Sequence, residues 1–197
     1  VYKLERALER ARQERLQALG GAEERPLEAS EPLAAPNRAP ESRTRYVDLS
    51  HSVLEANRIV ARNGLDPTAD VFRILRTKVL QVLERNNFKS VGVTSANYGD
   101  GKTTVAVNLA LSLALGVKQT VCLVDLDLRN PAIHRYLGIG TAVGLGDYLL
   151  NDTPLADCLV RPNYDRLVVL PSSRALENSS ETLATPKMAV LARELQT

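Results

Sequence analysis

The sequence holds only two cysteines, Cys122 and Cys158, both in apolar surroundings and without the short spacing of a metal site. That scarcity suits a reducing compartment, with one cryptic disulfide as the alternative. Charge of one sign is lacking as well. The chain carries 25 basic and 23 acidic side chains for a net +2, with no basic patch that would argue for nucleic acid. The longest apolar run, Val105 to Val117, is broken by Asn108 and Ser112 and is too short to span a bilayer. No secretory signal is visible at the start, so a cytoplasmic protein is expected. The first residue is Val1, which leaves open whether the natural start is present. What the 197 residues do contain is a normal 44% of hydrophobic side chains, enough for one α/β core domain and an appendage.

The most informative stretch runs from Ser90 to Thr104. A short β-branched run, Ser90 to Ser95, predicts a strand; a glycine-bearing loop follows; a helix is predicted from Lys102 to Leu115, stopped by Gly116. Within it, Ala96-x-x-x-x-Gly101-Lys102-Thr103 fits the phosphate-loop pattern, with Ala96 where a first glycine often stands. The expected nucleotide cradle is Asn97, Tyr98, Gly99, Asp100, Gly101, Lys102, Thr103 and Thr104. Gly99 and Gly101 let the backbone curl so that N–H groups converge on phosphate oxygens. Lys102 brings positive charge to the β and γ phosphates, the Thr103 hydroxyl can ligate Mg²⁺, and the helix aims its positive end at the same anion.

Around this stretch the chain divides into three parts. Residues 1–19 predict a charged helix in which Val1, Leu4, Leu8, Ala11 and Ala18 form a narrow stripe, broken at Arg15. The stripe either packs on a helix or domain or stays solvated. Residues 20–45, with Pro26, Pro32, Pro36 and Pro40, predict a flexible, disordered linker. Residues 46–197 predict the folded domain. Tyr46 to Asn63 is read as a strap across it, and Asp70 to Arg85 as an amphipathic helix with Phe72, Leu75, Val79 and Leu83 buried. Beyond the loop, strands are expected at Thr120–Asp125 and Leu167–Leu170. Helices are expected at Pro131–Leu137, Asp147–Leu150, Pro154–Leu159 and Ser180–Leu195. The alternation implies an α/β fold, a phosphate-loop-type, mostly parallel sheet flanked by helices.

The second strand ends in Asp125-Leu-Asp127-Leu-Arg129. Side chains two apart on a strand share a face, here at the carboxyl end of the sheet where ligands bind. Asp125 is placed to hold Mg²⁺ through its water shell, and Asp127 to accept a proton from an attacking hydroxyl. Arg129 either orders these acids or contacts phosphate. Lys102, Asp125 and Asp127 are therefore the candidate catalytic residues, Thr103 and Asp125 the candidate metal residues, and ATP with Mg²⁺ the expected cofactors.

From Tyr46 onward the chain resembles the bacterial tyrosine kinases (BY-kinases) of exopolysaccharide and capsule systems, most of all the stand-alone cytoplasmic type. The resemblance rests on the phosphate loop, Val124-Asp-Leu-Asp-Leu-Arg-Asn-Pro131, Phe72-Arg-Ile-Leu-Arg-Thr77, Gly144-Leu-Gly-Asp-Tyr-Leu149, Leu167-Val-Val-Leu-Pro171 and Ser179-Ser-Glu-Thr-Leu183. It implies transfer of the ATP γ-phosphate to tyrosines on a neighbouring copy. It further implies a membrane chain-length regulator as activator, which would recruit the protein to the inner membrane face. The family's Glu-x-x-Arg-x-x-Arg segment of ring-like self-association reads Asp70-x-x-Arg73-x-x-Arg76 here.

Departures narrow the reading. Tyr98 and Asp100 replace the family's proline and glutamate, and Tyr98 either lies over the nucleotide mouth or packs. Asn97 stands where partition and division-site ATPases carry a lysine, which weighs against that alternative class. A scaffold gated by nucleotide, docking on a chain-length regulator, is the non-enzyme alternative. The family's third nucleotide motif and its C-terminal tyrosine cluster are not found, so the sheet is expected to be incomplete and the chain to be an N-terminal portion.

Overall fold

A computed structural model describes residues 44–61, 66–116, 120–140 and 142–195. The helix expected at 1–19 and nearly all of the linker expected at 20–45 lie outside them. The first described element is a short strand, β1 (Arg45–Val47), followed by α1 (His51–Ala56). Both lie in the strap expected over Tyr46 to Asn63, which is described as far as Ala61, and its Leu49, Leu54 and Ile59 are buried in the core.

Helix α2 (Pro67–Asn86) starts earlier than its apolar stripe predicts. Asp66 caps it by accepting the Thr68 N–H at 2.7 Å, and Pro67 occupies the first turn, where a missing N–H costs nothing. Asn87 ends it in a left-handed conformation. Helix α3 (Lys102–Gly116) is enclosed through its middle, from Val107 to Ala114. Its two polar interruptions each hold a neighbour. Asn108 accepts the Val60 and Ala61 N–H groups and donates to the Arg58 carbonyl, fixing the strap. Ser112 donates to the Phe72 carbonyl, fixing α2.

Strand β2 (Val121–Val124) leads through a loop to α4 (Ile133–Leu137), α5 (Leu145–Asn151) and α6 (Leu155–Cys158). Strands β3 (Val160–Pro162) and β4 (Leu167–Leu170) follow, then α7 (Ser179–Leu183) and α8 (Pro186–Glu194). The sheet order is β1-β3-β4-β2. The outer pairs are parallel, Arg45 opposite Val160 and Val121 opposite Leu167, while β3 and β4 are antiparallel.

Alternation along the strands separates two cores. Leu123, Leu167 and Val169 face α3, α4 and the strap. Leu170 and Val124 face the opposite layer, with Leu145, Tyr148, Leu149, Cys158 and Leu191.

Two expectations are corrected. Ser90–Ser95 forms no strand: among the described residues nothing pairs with it, and Val91 is 50% exposed. An extended run becomes a strand only when a neighbour takes up its N–H and C=O groups. The single helix expected at Ser180–Leu195 is two, because Pro186 has no N–H for an internal helical bond and drives Thr185 into extended backbone (φ −69°, ψ 150°).

Candidate phosphate-binding site

The loop expected to cradle phosphate is an exposed turn leading into the buried helix α3. Gly99 and Gly101 have φ of +87° and +88°. Open space surrounds the position a Cβ would take at either, so backbone conformation rather than room requires glycine there. The Asn97 N–H donates to Asp100 Oδ2 at 2.9 Å, closing the turn around Tyr98 and Gly99. At the start of α3, the first N–H groups lack intrahelical acceptors and present the positive end of the helix. Asn108 Nδ2 donates to the Thr104 carbonyl, so the strap anchor also holds the first turn of this helix.

The sequence-predicted acids lie against this loop but differ from each other. Lys102 Nζ sits 2.9 Å from Asp127 Oδ2, with both side chains 29% exposed. The hydrogen bond to Asp127, aided by the charges of Asp127 and Asp125, raises the Lys102 pKa against a modest opposing effect of burial. Asp125 is only 4% exposed. Its Oδ1 accepts the Asp127 N–H at 3.2 Å, and its Oδ2 accepts those of Ala132 and Ile133 at 3.0 Å each. Burial pushes its pKa up, and the three backbone N–H groups partly hold it down. Asp125 is thus the organiser of the turn that aims Asp127 and starts α4. Asp127 Oδ1 completes that turn by accepting the Asn130 N–H at 3.0 Å.

The donor set suits a metal–triphosphate. Lys102 and the helix start offer cationic and N–H character, while Thr103 and Asp127, both partly exposed, offer oxygens for a hard cation. Asp125 has little free acceptor capacity and almost no exposure, so direct metal ligation is not its arrangement; contact through a water shell remains compatible with it. Arg129 is exposed, with no hydrogen bond to the loop among the described residues. Two clefts, of 280 and 350 Å³, border Asn163–Asp165, the first also lined by Ala114 and Leu115 of α3 and the second by Thr44 and Tyr46; neither is lined by a residue of the phosphate loop.

The three residues expected in self-association do not behave alike. Arg73 Nε donates to Asp70 Oδ1 at 2.8 Å on the exposed side of α2. Arg76 turns inward, and its Nη1 donates to the Ser112 carbonyl at 2.9 Å in the last turn of α3. Its guanidinium lies where a Cβ on Gly116 would fall. Sequence reasoning also passed over Asn108 as a site residue, although an amide interrupting the longest apolar run was the available signal; in the fold it is fully buried.

No family model matches the chain. It is similar to the tyrosine-protein kinase YwqD of Bacillus subtilis (strain 168), with 33% identity over 143 residues, 73% of this chain and 60% of that protein. It is also similar to the tyrosine-protein kinase CpsD of Streptococcus agalactiae, with 35% identity over 59% of this chain and 50% of that one. Among solved structures, the BceF tyrosine kinase domain matches with a TM-score of 0.63 and 25% identity, covering 79% of this chain and 57% of that one. The VpsO kinase domain matches at a TM-score of 0.54 and 32% identity, covering 66% and 64%. The chain spans about half to three-fifths of the length of these two curated relatives. Sequence and fold agree across this shared stretch, and in both the chain is similar to the bacterial tyrosine kinases.

Proposed function

We propose that this chain carries the phosphate-binding half of an ATP-dependent protein tyrosine autokinase that regulates exopolysaccharide synthesis or export. The observation that carries the reading is the Lys102–Asp127 contact at 2.9 Å beside the two left-handed glycines. It sets a phosphate-seeking cation and a candidate base for a phenol side by side. Lys102 and the start of α3 hold the β and γ phosphates, with Asn97 to Thr104 as the cradle and Arg129 at its rim. Thr103 and the water shell of Asp125 hold Mg²⁺, and Asp127 receives the tyrosine proton. Phosphoryl transfer needs mainly positioning and charge neutralisation, which is what such a set can supply. The tyrosine comes from a second copy, and Asp70 with Arg73 forms the self-association surface. A membrane chain-length regulator is the proposed activator, drawing the kinase to the inner face of the membrane. Among the described residues no helix is long and apolar enough to cross a membrane.

The test is incubation of the full-length natural protein with Mg²⁺ and [γ-³²P]ATP, followed by phosphoamino-acid analysis. Phosphotyrosine should form, and Lys102→Met and Asp127→Asn should each reduce it by about 10³-fold or more. ATP binding without any phosphotyrosine would leave a nucleotide-gated scaffold; undiminished labelling of Lys102→Met would overturn the mechanism.

A further inference from the structure

We infer that Tyr98, in the phosphate loop itself, is a phosphoryl acceptor, and that its phosphorylation shuts the nucleotide site of the copy that carries it. The inference rests on the tyrosine kinase reading above and adds to it a target and a consequence.

A tyrosine that enters another copy's active site must stand clear of its own protein. Among the described residues, Tyr148 and Tyr164 are 6% and 7% exposed, and Tyr136 packs against the core. Tyr46 is 66% exposed but lies in β1, paired in register with Arg161, so presenting it disturbs a strand. Tyr98 is 82% exposed in a turn outside any strand or helix. Gly99 beside it gives the backbone a left-handed bend, and the Asn97–Asp100 hydrogen bond keeps the turn closed behind it.

The same position makes the modification consequential. Lys102 Nζ lies 6.0 Å from the centre of the Tyr98 ring. In the transfer, the bond between the γ-phosphorus of ATP and its bridging oxygen breaks, and ADP leaves with that electron pair. A new P–O bond forms to Tyr98 Oη, and the phenol proton passes to the Asp127 carboxylate of the donating copy and then to water. The product adds a charge of about −1.5 to −2 next to Lys102. That phosphate competes with Asp127 for the ammonium and repels an incoming triphosphate. Phosphorylation and nucleotide binding at one loop therefore exclude each other, and the reaction limits itself.

The experiment incubates full-length protein with Mg²⁺-ATP, removes nucleotide, and maps phosphotyrosine by mass spectrometry. Trypsin releases Ser90–Lys102, in which Tyr98 is the only tyrosine. Affinity for a fluorescent ATP analogue is measured before and after incubation, for wild type and for Tyr98→Phe, each compared with itself. The Ser90–Lys102 peptide should carry phosphate. Wild-type affinity should fall about tenfold or more, while that of Tyr98→Phe should not fall. Phosphotyrosine elsewhere but never on this peptide overturns the inference and spares the kinase reading. Phosphate on Tyr98 with unchanged affinity overturns the proposed closure. Absence of phosphotyrosine throughout overturns both.

Discussion

The runs Leu167–Leu170 and Ser90–Ser95 are both short, rich in β-branched residues and bounded by loops, yet they reach different states. Strand β4 has β2 on one side and β3 on the other, and helices cover both its faces. Leu167, Val169 and Leu170 are almost wholly buried. Ser90–Ser95 has no strand beside it among the described residues, and its Val91 is half exposed. Strand formation is therefore a property of the neighbours as much as of the run. The phosphate loop hangs between an exposed segment at one end and a firmly enclosed helix at the other. Its geometry is fixed from the Lys102 side.

The strongest way to break this comparison is hydrogen exchange on the 197-residue chain. Amides of β4 should open only in near-global unfolding, whereas those of Val91 to Ser95 should exchange at least about 10³-fold faster. Protection of Val93 equal to that of Val169 would mean that the segment is paired in solution.

Side-chain truncation sharpens the same contrast. Leu167→Ala removes a side chain that is 1% exposed and should cost about 2–5 kcal/mol in urea unfolding. Val91→Ala should stay within about 0.5 kcal/mol. The two arginines of α2 offer a smaller version of the test. Arg76→Ala removes a charge-assisted bond to the C-terminal turn of α3 and should cost about 1–2 kcal/mol. Arg73→Ala loses only a surface ion pair and should change stability by less than about 0.5 kcal/mol. Equal effects at the two positions would remove the distinction between an inward tie and an outward surface.

Features written in local rules were the legible ones. The phosphate loop could be read because glycine, lysine and threonine at fixed spacing state their own geometry. Strand β2 and helices α2 and α3 were equally plain from apolar pattern. Strands β1 and β3 were missed because three residues carry too little pattern to distinguish from loop. The break at Pro186 was available in sequence, since proline cannot continue a helix from within; the apolar side of Ser180–Leu195 hid it. Different duties were expected of Asp125 and Asp127, but the structural duty of Asp125, as organiser of the turn, could not be read. Two carboxylates at a strand end look alike until the chain turns and three backbone N–H groups close on one of them. Arg76 is similar: its spacing matches an interface motif, and only the packing of α2 on α3 reveals where its guanidinium goes.

The least forceful difference concerns the ion pair that bridges the loose loop and the packed sheet. Lys102 and Asp127 are both partly exposed, so solvent screens their attraction and the pair should add no more than about 1 kcal/mol to stability. Its sign with pH is nevertheless definite. The folded Lys102 pKa lies above the ordinary lysine value of 10.5, so folding favours the charged form. The contribution is present in full below the unfolded value and disappears as pH rises through the folded one. Comparing the chain with its Lys102→Met variant from pH 8 upward isolates it, both in a Tyr98→Phe background because the Tyr98 ring lies 6.0 Å from Lys102 Nζ. Their stability difference should be level to about pH 10, then shrink, and should also shrink in high salt at pH 8. A difference of several kcal/mol that ignores both pH and salt would mean that Lys102 serves as packing rather than as charge. The phosphate loop would then be anchored as firmly as β4, and the contrast between the two regions would end at Lys102.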